Sequence, residues 1–505
     1  MMTGKWQCVL AGGESLLIAC AGALMRQGHR IAAVVTRAPA VQRWAAQQGI
    51  RTLPDVQALL AASDLQPFDY LFSITHLSVL PSAAIALPTR AAINFHDGPL
   101  PEYAGLNTPV WALLNGEAQH GVTWHLMTAE VDRGDILVQR RFDLAEGETA
   151  LTLNTRCFEA GIESFELLVR GLAEGTLVAR SQTTAAQRYY RRRDRPAVAG
   201  VIDWKQSAER IGTLVRALDF GTYANPLVAA KALCDAGVML VAQLRVTAQA
   251  SRAVPGSVVA IDGEAVTVAT GDFDVQLLAL RSLNGEPLAP PAAAQRFALA
   301  PGARLHCLDA ACAARLTDIN AAVAGREGFW LQRLVSQQAL ELPVVDRGAA
   351  PAASAYRMSD LMLPAAVAGL PAEQRLASLL AWLARLVDKV GFDVGFACPA
   401  LVQSVAGAPT GLFASSVPLR AGLDPVQGLS ALGDRVAVEW AELRQRGGYA
   451  TDLVARTPEL RSMAAQRDPC QLPVVLQVVA RLDDAQAAPG SELTLAITED
   501  GHAAR

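Results

Sequence analysis

The sequence predicts a mixed α and β chain of several domains: a parallel α/β sheet first, a small β-barrel next, and an α+β region last. Three observations carry this reading. At 505 residues the chain is too long for one hydrophobic core, so about three domains are expected. Its composition, 51% hydrophobic and 18% charged, suits compact domains rather than a disordered chain. The patterning also changes twice, at residues 182–203 and 340–356, where turn-forming and small residues interrupt the periodic apolar runs.

In order, residues 6–11 (WQCVLA) read as a strand, followed by a Gly-Gly turn and an amphipathic helix over 14–27. Residues 30–36 give a second strand and 40–48 a second helix. FDYLFSI at 68–74 reads as a buried strand, and AAINFH at 91–96 is the next. This alternation argues for a parallel sheet with helices on both faces. GVTWHLMT (121–128) and ILVQRRFDL (136–144) read as a later strand pair, and 150–174 as a long helix. After the first linker come a helix over 206–218 and four strand-like runs between 238 and 283 with Gly and Asp turns, the pattern of a small barrel. A helical segment covers 312–338. Beyond the second linker the pattern gives helices at 372–389 and 425–446, a strand-like SSVPLRAGL, and the strand pair LPVVLQVVA and SELTLAITE.

Several function classes are disfavoured at once. A net charge of -4 offers no general basic field for a polyanion, so nucleic acid is not an expected partner. The eight cysteines include no CxxC pair and no Cys/His metal spacing, so a reduced, cytoplasmic protein without a metal is expected. Glu14 interrupts the apolar start, which reads as strand, turn and helix rather than as a signal peptide, and no stretch is long enough for a membrane span. Gly12-Gly13 reads as a tight turn: GxGxxG and an acidic ribose ligand are both missing, which disfavours hydride transfer.

The chemistry concentrates in residues 93–136. Asn94 and His96 end a strand, and alternation puts them on one face with Phe95 on the other. Asp97-Gly98-Pro99-Leu100-Pro101 then forces a turn. A lone histidine is most often structural, but paired with Asn94 and followed by that turn, His96 reads as a site residue. Asp132 lies in a loop between two strands; a carboxylate beside an imidazole raises its pKa and fixes its tautomer, so Asp132 is the expected partner of His96. His76 follows a buried strand and reads as a capping or turn residue. His120, at a predicted turn, and His125, able to point out of a strand, are assigned no chemistry. The basic run from Tyr189 to Arg195 reads as a solvated linker face.

N-x-H, then LP-x-Y-x-G, then Trp-Ala and Asn-Gly-Glu, then GVT-x-H and D-x-GDI together resemble the formyltransferases that use 10-formyltetrahydrofolate, over roughly residues 5–300. IDWKQSAERIGTLVRALDFGTYANPL resembles the start of that family's OB-like C-terminal domain. The resemblance implies a Rossmann-like catalytic domain with His96 as general acid/base, Asn94 as oxyanion stabiliser and Asp132 as the carboxylate that supports the histidine. It implies folate contacts from His76, Leu77 and Ser78, and from Thr128, Ala129, Glu130 and Val131. Leu106 stands where some members carry an arginine near the folate. The usual Ser-Leu-Leu-Pro is Asp97-Gly98-Pro99-Leu100-Pro101 here, and the usual Arg-Gly is Ala104-Gly105, which puts tRNA and sugar acceptors in doubt.

NFHDGPLPxYAGL instead resembles formylation domains at the start of nonribosomal peptide synthetases. LFASSVPLRAGLDP, RGGYATDLVARTPELR and LPVVLQVVA resemble the second half of a synthetase condensation domain, without the HHxxxDG half; after residue 330 the single histidine is His502. The expected domains are 1–190 catalytic, 191–305 OB-like, 306–355 helix and linker, and 356–505 half-condensation-like, as a piece of a longer synthetase or a stand-alone remnant. The acceptor implied is an aminoacyl starter unit on a peptidyl carrier protein, with further synthetase domains as partners. The alternatives are a free small amine (hydroxyornithine or a nucleotide amino-sugar) and a non-catalytic interaction module. Residues 340–505 are expected to be dispensable for formyl transfer to a small amine.

Overall fold

A computed structural model describes residues 5–65, 67–183, 187–343, 357–423, 428–501 and 503–505. His502 and most of the expected linker at 340–356 lie outside the described residues. The chain forms two compact units, Met1–Arg192 and Arg193–Arg505. Among the described residues no helix is long and apolar enough to cross a membrane.

The first unit runs β1 (Gln7–Ala11), α1 (Ser15–Arg26), β2 (Arg30–Val35), α2 (Pro39–Gln47), β3 (Arg51–Leu53), α3 (Val56–Ala61), β4 (Tyr70–Ser73), α4 (Ser82–Ile85), β5 (Ala91–His96), β6 (Tyr103–Gly105), α5 (Thr108–Leu114), β7 (Gln119–Leu126), β8 (Ile136–Asp143), α6 (Ala150–Glu174) and β9 (Arg188–Tyr190). Its main sheet has the order β3-β2-β1-β4-β5-β7-β8. The pairs up to β5 are parallel; β7 and β8 are antiparallel additions at one edge. The expected parallel α/β sheet is therefore present.

Local chemistry explains the frame. The apolar β1 has four of its five residues buried. Gly12 follows it at φ +157°, and a Cβ there would lie 1.8 Å from the Ile74 carbonyl oxygen. The Gly-Gly turn is thus a close crossing of two loops. α6 starts at a capping box on Thr149 and Thr152 and ends at Gly175, φ +68°. It approaches β5 closely enough that a Cβ on Gly161 would come within 2.8 Å of the Phe95 ring. Phe95 also packs on Trp124, whose indole N–H donates to Ser164 Oγ at 2.9 Å. Phe95 therefore faces the core, leaving the other face of β5 to Asn94 and His96.

Two parts of the first unit escaped the sequence reading. β6 and α5 lie after the expected turn, in a stretch to which the sequence reading assigned no element, and β9 lies inside the expected linker, pairing in parallel with β6. These strands are three residues each, too short for a periodic signal.

In the second unit, helix Ala208–Ala217 is followed by an antiparallel sheet ordered Lys231–Cys234, Gly237–Ala250, Phe273–Arg281, Val266–Val268, Val258–Ile261. The segment expected to be helical over 312–338 is two helices, Ala310–Ala324 and Glu327–Val335. A mixed sheet follows, ordered Val417–Gly422, Gly391–Ala397, Val474–Val479, Leu493–Thr498. The last two strands pair in parallel, so they are not a hairpin. Helices Ala372–Val387 and Leu429–Arg446 contribute Leu376, Leu380, Leu383, Leu432 and Leu443 to the core of this sheet. The expected boundaries at 305 and 355 fall within this one unit.

A buried ionic network ties its parts together. Lys231 Nζ, on the barrel-like sheet, donates to Asp452 Oδ2 at 2.5 Å and to the carbonyls of Ala199 and Ala229 at 2.8 and 2.9 Å. Asp452 also accepts from Arg456 Nε at 3.0 Å. Arg456 and Arg195 both reach Glu327, at 2.6 and 2.7 Å. Burial opposes the charge on Asp452, but Arg456 and Lys231 outweigh it and hold its carboxyl well below the usual range.

Candidate active site

Asn94, His96 and Asp132 meet on the face of β5 opposite Phe95. Asn94 is half-buried, and the His96 and Asp132 side chains are 5% and 7% exposed. His96 Nε2 lies 2.7 Å from the Tyr103 carbonyl oxygen. A carbonyl only accepts, so Nε2 carries hydrogen and Nδ1 is the basic nitrogen of the neutral ring. Nδ1 faces Asp132 Oδ2 at 3.7 Å and Asp97 Oδ1 at 3.9 Å, ion-pair rather than hydrogen-bond distances.

Asp132 occupies a left-handed conformation, φ +56°, which aspartate tolerates better than most residues. Three contacts hold it there. The Gly105 N–H donates to Asp132 Oδ2 at 2.9 Å, and Gln182 Nε2 donates to the carbonyls of Asp132 and Gly134 at 3.0 and 2.6 Å. Gly134 passes so close to Leu126 that a Cβ would lie 1.7 Å from its carbonyl oxygen. Burial works against ionisation of Asp132; His96 and the Gly105 N–H outweigh it and place the carboxyl well below the usual range. Asp132 is thus a fixed anion beside His96.

The short β6 explains this placement. Its Tyr103 carbonyl fixes His96 and its Gly105 N–H fixes Asp132. β9 braces β6 from the other side: the Leu106 N–H donates to the Tyr190 carbonyl at 2.9 Å, and a Cβ on Gly105 would lie 2.0 Å from that oxygen. Tyr190 stacks on Trp111 at 4.7 Å, and Arg188 reaches Tyr103 Oη and Glu117 at 2.8 and 2.9 Å. The basic run is therefore more than a solvated face: Tyr190 braces β6, and Arg192 donates to the Leu77 carbonyl at 2.9 Å.

Two histidines set aside by the sequence reading are placed in the site. His120 lies within β7 rather than at a turn; it is buried and donates from Nε2 to the Asp97 carbonyl at 2.8 Å. Burial pulls its pKa down to about 4, so it is neutral. His125 points inward, not out. Its Nδ1 donates to the Leu126 carbonyl at 2.8 Å, leaving Nε2 to accept from Asn94 Nδ2 at 3.1 Å; Asp132 Oδ1 is 3.5 Å away. The sequence carried no signal for this, because it depends on the β5–β7 register that sets Asn94 opposite His125.

The residues expected at a folate site lie on three segments. After β4, His76 is half-buried with a buried Nε2 that has no partner among the described residues, and burial lowers its pKa. Leu77 and Ser78 are exposed there, Leu77 at 69%. In the loop before β8, Thr128, Ala129, Glu130 and Val131 are exposed, with Thr128 Oγ1 donating to the Glu130 carbonyl at 2.9 Å. Leu106 is half-buried beside β6. An unpartnered imidazole nitrogen and the exposed side chains of Leu77 and Val131 suit a flat heteroaromatic ligand with polar edges.

Residues 19–169 match the formyl transferase family and residues 198–298 its C-terminal domain. Among solved structures, the chain is similar to the N-formyltransferase from Helicobacter canadensis in complex with folinic acid and dTDP-3-aminofucose, at 18% identity and TM-score 0.43, over 55% of this chain and 99% of that one. It is similar to WlaRD, a sugar 3N-formyltransferase in the presence of dTDP and 5-N-formyl-THF, at 16% identity and TM-score 0.44, over 55% and 98%. It is also similar to HypX from Aquifex aeolicus in complex with tetrahydrofolic acid, at 18% identity and TM-score 0.44, over 58% of this chain and 48% of that one. With two successive family patterns matched in the first 300 residues, residues 19–169 and 198–298 belong to the formyl transferase family, enzymes that move a one-carbon formyl group.

Proposed function

We propose that the site moves the formyl group of 10-formyltetrahydrofolate onto the amino group of an aminoacyl starter unit, carried by a peptidyl carrier protein, in nonribosomal peptide biosynthesis in the cytoplasm. The observation that carries the formyl transfer is the convergence of Asn94, His96 and Asp132 within a family-matched domain. The acceptor rests on the wording NFHDGPLP and on the condensation-like motifs of the last third.

The folate co-substrate supplies an activated formyl group when bound, held by His76, Leu77, Ser78, Leu106 and residues 128–131. Asn94 spends one amide hydrogen on His125 and has a second to give to the formyl oxygen, where negative charge gathers as the amine attacks. A donor so placed contributes roughly 3 kcal/mol. His96 Nδ1 takes a proton and holds it beside the fixed Asp132 anion; acid/base action of this kind contributes about 10²–10⁴-fold. The proposed division of the chain is 1–190 catalytic, 191–305 OB-like, and 356–505 half-condensation-like after a helical segment.

Incubating the protein with 10-formyltetrahydrofolate and a set of carrier-bound aminoacyl groups, then weighing each carrier by mass spectrometry, tests the reading. One added formyl group on one carrier is expected. Formylation confined to free amines would remove the carrier from the account.

A further inference from the structure

His96 has two carboxylates beside its basic nitrogen, and they differ in their access to water. The Asp132 side chain is 7% exposed and that of Asp97 is 31% exposed. His96 itself is 5% exposed. Of the three groups, only Asp97 has an open side through which a proton can pass between solvent and the buried pair.

Asp97 is also held in place. Its carbonyl oxygen accepts from Thr108 Oγ1 and from His120 Nε2, each at 2.8 Å, and its Oδ1 lies 3.1 Å from the same Thr108 hydroxyl. The next residue has no room for a side chain: a Cβ on Gly98 would lie 2.7 Å from Thr108 Oγ1 and 2.9 Å from His96 Nε2. A single turn thus seats Asp97 beside His96.

We propose that Asp97 is a catalytic residue that receives the acceptor as an ammonium ion and takes the proton whose loss makes it a nucleophile. The proposal rests on the reading of the site as an amine formyltransferase. The steps balance as two proton transfers. R–NH3+ gives one proton to the Asp97 carboxylate, leaving R–NH2 and a neutral carboxyl, which returns that proton to solvent. The second proton, lost by the nitrogen once it has bonded the formyl carbon, passes to His96 Nδ1 and from there to N10 of the folate as the bond between N10 and the formyl carbon breaks.

The surroundings of Asp97 suit the role. The titratable groups facing it are His96 from β5, Asp132 from its loop, His120 from β7 and Cys157 from α6, whose Sγ is 4.0 Å from the Asp97 carbonyl oxygen. His120 is neutral, and burial pushes the Cys157 thiol far up, so the anions around the imidazole are Asp132 and Asp97. Burial raises the Asp97 pKa against the opposing pull of His96 and Thr108, which makes it a stronger base than an exposed carboxylate.

Asp97→Asn removes the charge and keeps an acceptor for Thr108. With the acceptor found by mass spectrometry, kcat/KM of both proteins is measured between about pH 6 and pH 9. The variant is expected to lose about 10²-fold at neutral pH, with the deficit shrinking roughly tenfold per pH unit as solution supplies more free amine. A deficit independent of pH, or none, overturns the proposal. A second measurement needs no acceptor. In the full chain carrying carbon-13 aspartate, the signal lost in the variant is assigned to Asp97 and titrated with and without methylammonium. A midpoint above the ordinary carboxylate range that falls with methylammonium supports the proposal; a carboxyl indifferent to both overturns it. If Asp97 titrates in this way while no amine is formylated, the formyltransferase reading fails and the proton site stands.

Discussion

Asn94 and His125 face each other across β5 and β7, with Asn94 Nδ2 3.1 Å from His125 Nε2. The Leu126 carbonyl takes the hydrogen of His125 Nδ1, so the facing nitrogen is an acceptor, and this fixes which end of the Asn94 amide it meets. His125→Ala frees that amide to rotate. Tetrahydrofolate release is expected to slow about tenfold, against about 10²–10³-fold for Asn94→Ala. The double variant should be no slower than Asn94→Ala alone, because His125 acts through Asn94. Fully additive losses would give His125 a separate role.

His120 makes stability depend on pH in a known direction. Its pKa falls from the ordinary value of 6.5 to about 4 on folding, because burial disfavours the charged ring. The unfolded chain therefore binds this proton first as pH drops, and stability present above pH 6.5 is lost toward pH 4. Between pH 7 and pH 5 the loss from this residue is about 2 kcal/mol. Urea unfolding of His120→Gln should show a pH slope shallower by that amount; an unchanged slope would contradict a neutral buried His120.

Removing residues 340–505, expected to be dispensable for formyl transfer to a small amine, would break a buried ion pair within the second unit. Lys231 and Asp452 are 2% and 0% exposed and pair at 2.5 Å, although 221 positions separate them. Deleting Asp452 leaves a buried ammonium with only two carbonyls. Asp452→Ala is expected to cost about 3–5 kcal/mol, and a chain ending at residue 339 should lose the cooperative melting of its second unit. A truncated chain that melts like the intact one would show that the pair is dispensable.

Gly134 should be intolerant for a mechanical reason. A Cβ there would lie 1.7 Å from the Leu126 carbonyl oxygen, so Gly134→Ala must displace the loop that carries Asp132. Formyl transfer is expected to fall by more than about tenfold, while Gly263→Ala, with nothing within 4 Å, leaves it unchanged. Comparable rates for the two variants would dissociate Asp132 from the reaction.

Much of the first unit was legible in the sequence because it rests on long apolar runs. WQCVLA, RIAAVVT and AAINFH carry their own periodicity, and Phe95 against Asn94 and His96 follows from strand alternation alone. What stayed hidden depends on register and close approach. β6 and β9 are three residues each, and their importance lies in two backbone groups, the Tyr103 carbonyl and the Gly105 N–H, that no pattern of side chains reveals. His125 and His120 acquire partners through the antiparallel pairing of β7. Lys231 and Asp452 lie on segments that the sequence assigned to different domains.

The central claim is that His96, held between Tyr103 and Asp132, serves the transfer of a formyl group to an amine. The direct test is tetrahydrofolate release by His96→Ala, with 10-formyltetrahydrofolate and the acceptor identified by mass spectrometry, alongside its thermal melt. The account predicts that release falls by at least about 10²-fold while the protein stays folded. Near-normal release from a folded variant would contradict it.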